Sequence, residues 1–141
     1  MEEILIKYCK LVLAVYIIRF LALRLLLAFP VIKKIIYMRE MMPGVKNWNS
    51  RIKMVYYSEI FSFIQSLIIV LYFMLFCYFI PLSLNQKVLI SFLFYFAFII
   101  AEKFRFSIIW TNFPNSLLLI DTFIYLFIGL LQFTAMGFLY N

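Results

Sequence analysis

From Ile60 to Gln86 the chain runs 27 residues without a charged side chain, IFSFIQSLIIVLYFMLFCYFIPLSLNQ. About 20 such residues are enough for a helix to cross a bilayer. A peptide this apolar has only one way to satisfy its backbone in hydrocarbon without neighbours, and that is an α-helix. The fold class follows: an all-α integral membrane protein, a bundle of three to four transmembrane helices.

Composition agrees. Of 141 residues, 67% are hydrophobic and 13% charged, with a mean hydropathy of +1.06. So few charges cannot cover a water-facing surface of this size, and the outer surface must be lipid or other protein. A single transmembrane domain over residues 1–141 is expected. The chain shows no internal repeat, linker or low-complexity tail.

Four apolar blocks can be read, at about 11–32, 56–82, 87–106 and 116–140. The second stops at Pro81, before a short turn SLNQ. The third holds only 14 uncharged residues after Lys87, VLISFLFYFAFIIA, so it must continue through Glu102, Lys103 and Arg105 to span. The first is interrupted by Arg19 and Arg24. Each arginine costs about 2.5–3.5 kcal/mol at a helix centre, against about 0.3–0.6 gained per strongly apolar residue. The sum is near zero, so this block can cross the membrane or lie in the interface. The strong apolar residues around both arginines, and the lack of a clean polar face, favour crossing.

Charge is asymmetric. Residues 1–53 carry ten Lys or Arg against Glu2, Glu3 and Glu40, while the rest of the chain balances Lys87, Lys103 and Arg105 against Glu59, Glu102 and Asp121. Most of the excess, six basic residues against one acidic, lies in the segment 33–55, which reads as a basic loop with a Pro43-Gly44 turn. Such a loop is expected on the cytoplasmic or matrix side of a bacterial cytoplasmic or mitochondrial inner membrane. Trp48 and Trp110 would then fall near that boundary. Nucleic acid is not an expected partner, since Leu and Ile runs separate the cations. No cleavable leader is expected from the acidic opening MEEILIKYCK.

The chain contains no histidine. That removes bis-His haem ligation, His-containing zinc sites and His-based nucleophile pairs. Cys9 and Cys77 are expected to be unpaired core thiols. No cofactor, metal site or catalytic residue is expected, and the expected partners are membrane lipids and other membrane subunits.

Helical spacing gathers the polar residues into stripes. Asp121, Tyr125, Ile128, Gln132 and Ala135 form one on the last block, and Ser91, Tyr95, Phe98, Glu102 and Arg105 one on the third. Ser58, Ser62, Gln65, Ser66 and Ile69 form a third beside Glu59. These read as helix-packing seams. The candidate intramembrane polar residues are Arg19, Arg24, Glu59, Gln65, Glu102, Arg105, Asp121 and Gln132. Depth counting at about 1.5 Å per residue predicts an Arg24 to Asp121 ion pair, with Arg19 seeking Gln132, a partner subunit or a lipid headgroup.

These features imply a non-catalytic subunit of a larger membrane complex, with an energy-converting or export assembly among the candidates. A homo-oligomeric channel or membrane effector is the alternative. A third class comes from resemblance. The basic loop, then Trp48, Arg51 and Lys53, then Glu59 opening an apolar helix and a short outer turn, resembles the four-helix MAPEG family, whose trimers bind glutathione between subunits. The resemblance places Arg51, Glu59 and Arg105 at family positions. Ser58 or Tyr56 stands where that family has Asn, and the tyrosine expected after Arg105 is missing.

Overall fold

The computed structural model describes residues 2–40, 50–110 and 115–140, and they form five helices: α1 (Glu2–Leu27), α2 (Pro30–Glu40), α3 (Arg51–Phe79), α4 (Leu84–Trp110) and α5 (Asn115–Tyr140). No strand occurs among the described residues. Three helices are long and apolar enough to cross a membrane, over Ile52–Phe79, Leu84–Lys103 and Leu118–Tyr140. The fourth long helix, α1, carries Lys7, Lys10, Arg19 and Arg24 and packs along α3 and α5.

Neighbouring long helices run antiparallel. Tyr8 reaches Leu67 and Tyr16 reaches Glu59 between α1 and α3; Gln132 reaches Val15 between α5 and α1. Lys103 meets Asp121 between α4 and α5. One end of the bundle therefore holds the start of α1, the α3–α4 turn and the end of α5. The other holds the α1–α2 junction, the start of α3, the end of α4 and the start of α5.

The first apolar block differs from its expected extent. Helix begins at Glu2 rather than near 11, and it breaks after Leu27 instead of running to 32. Pro30 is the cause, because its ring disfavours helical backbone at the preceding residue and it lacks an N–H. Ala28 and Phe29 close α1 with bonds to the Leu25 and Leu26 carbonyls, both 3.1 Å, and Pro30 opens α2 where a missing donor costs nothing. The segment 33–55 is accordingly not a continuous loop. Its first part is α2, and α3 already starts at Arg51 after an extended Ser50 (φ −147°, ψ 124°). Trp48 and the Pro43-Gly44 turn lie outside the described residues.

The α3–α4 connection shows how a short apolar turn is held. Ile80, forced out of helix by Pro81, is extended (φ −101°, ψ 120°) while its N–H still bonds the Phe76 carbonyl. Gln86 supplies one half of a capping box at Ser83: the Ser83 N–H and hydroxyl both donate to Gln86 Oε1, at 3.1 and 2.8 Å. Lys87 then reaches back to the Cys77 carbonyl at 2.7 Å, placing a cation on the negative end of α3. The four residues read as a turn, SLNQ, thus also start α4. As expected, that helix runs on through Glu102, Lys103 and Arg105.

The larger core cluster joins α1, α3 and α5 through Leu11, Val12, Val15, Val70, Phe73, Phe133 and Met136. Aromatic rings carry it across to α4. Phe73 meets Phe133 edge-on with centroids 6.2 Å apart, and Phe133 meets Phe92 and Tyr95 at 6.1 and 5.5 Å. Lipid tails are as apolar as these side chains, so close packing rather than escape from water is what stabilises such contacts. Shape is correspondingly demanding at two glycines of α5. A Cβ on Gly129 would stand 2.4 Å from Tyr95 Cε1, and one on Gly137 would stand 2.8 Å from Val88 Cγ2. Cys77 belongs to the core as expected, whereas Cys9 is exposed on α1.

Candidate functional site: an intramembrane polar seam

Asp121 sits one to two turns inside α5 and is buried, at 6% exposure. Its ion-pair partner is Lys103 of α4, not Arg24. Lys103 also lies over the Tyr125 ring, 4.3 Å from its centroid, so an ammonium, a carboxylate and an aromatic face are brought together between two helices. Thr122 beside Asp121 donates to its own helix, at the Leu118 carbonyl, 2.7 Å. The expected Arg24–Asp121 pair is therefore absent. Arg24 is exposed in the last turn of α1, its guanidinium 5.0 Å from the Phe20 centroid. The depth count went wrong because it centred the first helix on 11–32, whereas α1 ends at Leu27 and leaves Arg24 beside its end.

A second carboxylate, Glu59, is half-buried on α3 and accepts the Tyr16 hydroxyl of α1 at 3.0 Å. Tyr16 is held there by an edge-on contact with Phe63, centroids 5.7 Å apart. Gln132 is buried on α5 and donates to the Val15 carbonyl of α1 at 3.0 Å. In a regular helix that carbonyl already accepts from the Arg19 N–H, so Gln132 uses its second lone pair. Tyr8 makes the same kind of bond to the Leu67 carbonyl, 3.0 Å. Nearer the other end of the bundle, Lys7 covers the Tyr140 ring at 3.8 Å.

The stripes are partly as read. On α5 Asp121, Ile128 and Gln132 are buried and Tyr125 and Ala135 half-buried, so that seam holds throughout. On α3 Ser62, Ser66 and Ile69 are buried and Gln65 half-buried, while Ser58 is exposed. The two buried serines bond back to their own helix, Ser62 to the Ser58 carbonyl and Ser66 to the Ser62 carbonyl. On α4 the stripe fails beyond Tyr95. Phe98 is 67% exposed while Ile99 is 7% exposed. Glu102 and Arg105 are exposed and pair with each other at 3.2 Å, and Lys103 takes the inward position. The inward residues step as 91, 95, 99 and 103, a spacing of four rather than the heptad alternation, so the seam rotates one residue along the helix surface.

Arg19 is half-buried in the middle of α1, and no carboxylate among the described residues lies within ion-pair distance of it. Gln132 is not its partner, being bound to Val15 instead. Ser91 is fully buried, and its Oγ is the one buried side-chain atom among the described residues without a hydrogen-bond partner.

Lys103, Tyr16, Tyr8, Gly129 and Gly137 are the residues that sequence reasoning missed. A signal existed for three of them. A short connection between α4 and α5 makes residues equally far from Asn112 meet, and Lys103 with Asp121, and Tyr95 with Gly129, are such pairs. Gly137 and Val88 deviate by one residue.

No group of acidic or cysteine residues that could hold a metal occurs among the described residues. A groove of about 360 Å³ opens between the start of α4 and the end of α5, walled by Val88, Phe92, Phe133 and Gly137. Its polar side chains are Asn85 and Thr134, and Thr134 is already bonded to the Leu130 carbonyl. Of the residues that carry the MAPEG resemblance, Glu59 is engaged by Tyr16 and Arg105 by Glu102. The Arg51 side chain lies outside the described residues. Compared with known protein families, curated proteins and solved structures, the chain matches none.

Proposed function

We propose that this chain is a non-catalytic integral membrane subunit of a larger membrane assembly. In this reading α1 crosses the bilayer as a fourth span, and the basic segment 33–55 lies on the cytoplasmic or matrix side. The observation that carries the reading is Arg19: a half-buried arginine, two turns from the end of α1, with no carboxylate among the described residues within ion-pair distance. A charge at that depth costs about 2.5–3.5 kcal/mol unless something neutralises it. A partner subunit's anionic or acceptor group is the natural counterpart. The acids at depth support a structural role as well. Asp121 is bound to Lys103 and Glu59 to Tyr16, which suits staples between helices rather than groups held ready for a substrate.

The test is native mass spectrometry of the chain extracted in mild detergent from its own membrane, beside the Arg19→Gln variant. Other membrane subunits that co-purify with the native chain and are lost from the variant support the proposal. A ring of identical copies would replace it with the homo-oligomeric channel, and a monomer unchanged by the substitution would overturn it.

A further inference from the structure

Helix α2 is the shortest helix and the least enclosed. It follows α1 after a two-residue break, and of its described side chains Ile32 packs against the bundle, on the cluster of Ala22, Ile124 and Ile128. At 100° per residue, Val31, Ile35 and Met38 form one line next to Ile32, Lys33 and Tyr37 occupy the opposite side, and Lys34 borders the line on the flank away from Ile32. Val31 and Met38 are 69% and 46% exposed, and both lysines are exposed. An apolar line of this kind would be unstable in water, yet the helix is too short and too charged to span. Its position matters equally, because it leaves the bundle where α1 ends, at the edge of the slab that the long helices define.

We propose that α2 lies in the plane of the membrane on an anionic lipid leaflet, with Val31 and Met38 in the acyl boundary and Lys33 and Lys34 on lipid phosphates. Charge complementarity selects the occupant: Lys34 borders the apolar line and Lys33 lies behind it, as a membrane-surface helix requires, and their aliphatic stems extend from the boundary to the headgroups. Arg24, exposed in the last turn of α1, adds a third cation at this end of the bundle. This inference stands apart from the subunit proposal, since it concerns lipid contacts that a solitary copy would make equally well.

The experiment places spin labels one at a time at Val31→Cys, Lys33→Cys and Met38→Cys of the full chain. A Cys9→Ser background is used, with the buried Cys77 retained. Each is reconstituted in phosphatidylcholine vesicles with or without phosphatidylglycerol. Labels at 31 and 38 should collide with oxygen more than with a water-soluble nickel chelate, and the label at 33 should do the reverse. Lys33→Gln with Lys34→Gln should lower the docked-to-free ratio read at Met38→Cys about thirtyfold, since each surface lysine contributes about 1 kcal/mol on anionic lipid. Omitting phosphatidylglycerol should act in the same direction. Water-exposed labels at all three positions, indifference to lipid charge, or labels at 31 and 38 shielded from both probes by protein would each overturn the proposal.

Discussion

The α4–α5 hairpin and helix α1 are joined to the same bundle by different means. The hairpin closes by shape, with two glycines of α5 set against Tyr95 and Val88, and by the ion pair of Lys103 with Asp121. Helix α1 is attached through an apolar strip, Leu11, Val12 and Val15, and three polar bonds from Tyr8, Tyr16 and Gln132. Hairpin helices joined by a short connection have few alternative registers, so close contact can be built between them. A helix with four cations at intervals is harder to bury, and directional hydrogen bonds supply what tight apposition does not. The hairpin should therefore tolerate change badly, and α1 should give way gradually.

Breaking the ion pair from one side is the severest test. Asp121→Leu leaves Lys103, whose side chain is 22% exposed, without its carboxylate. Stranding a charge at such a place costs about 3 kcal/mol, less what snorkelling to the nearby interface recovers. Thermal unfolding in detergent should show the loss, and adding Lys103→Met to the same chain should restore most of it. Arg24→Gln should leave stability within about 0.5 kcal/mol. A large effect at Arg24 with none at Lys103 would reinstate the pairing that depth counting predicts.

Steric closure comes next in size. Gly129→Ala puts a Cβ into the Tyr95 ring and should cost about 2 kcal/mol through forced rearrangement. Tyr95 is a movable neighbour, so Tyr95→Leu in the same chain should recover part of the loss. If Gly129→Ala were neutral in unfolding and in cross-linking between α4 and α5, close approach would not be what joins the hairpin.

Much of this architecture was legible in residue order and some was not, for reasons that differ by helix. Apolar length located α3 and α5, since twenty uncharged residues leave little choice, and α4 once its 14 uncharged residues are carried on through Glu102, Lys103 and Arg105. The polar stripe of α5 was legible because that helix contacts neighbours on one side from Asp121 to Gln132. On α4 the heptad rule named Glu102 where Lys103 turns inward, because burial there advances in fours, and pattern alone does not reveal which row of a helix meets its partner. Pro30 was readable and overlooked: hydropathy runs smoothly through LALRLLLAFPVI, while backbone chemistry does not. Tyr8 and Tyr16 gave no sign, as a tyrosine in an apolar helix looks alike whether its hydroxyl meets a carbonyl, a carboxylate or the interface.

Helix α1 supplies the smallest and most discriminating effects. Buried polar contacts between membrane helices average about 0.6 kcal/mol and reach about 1.7. Gln132→Leu should fall near the top of that range, because Gln132 is 2% exposed and its acceptor is fixed in a helix backbone. Tyr16→Phe should fall near the middle, because Glu59 is only half-buried and can turn toward headgroups when the hydroxyl is gone. The two bonds lie on different neighbours of α1, so their losses should add within about 0.5 kcal/mol in the double variant. Cysteine accessibility at the exposed Cys9 provides the local readout. The double variant should raise labelling of residues around Val15 when single cysteines are placed there, while cross-links between α4 and α5 stay unchanged. Simultaneous loss of both would mean that α1 and the hairpin unfold as one unit, and that hydrogen bonds to α1 stabilise the whole bundle rather than one helix of it.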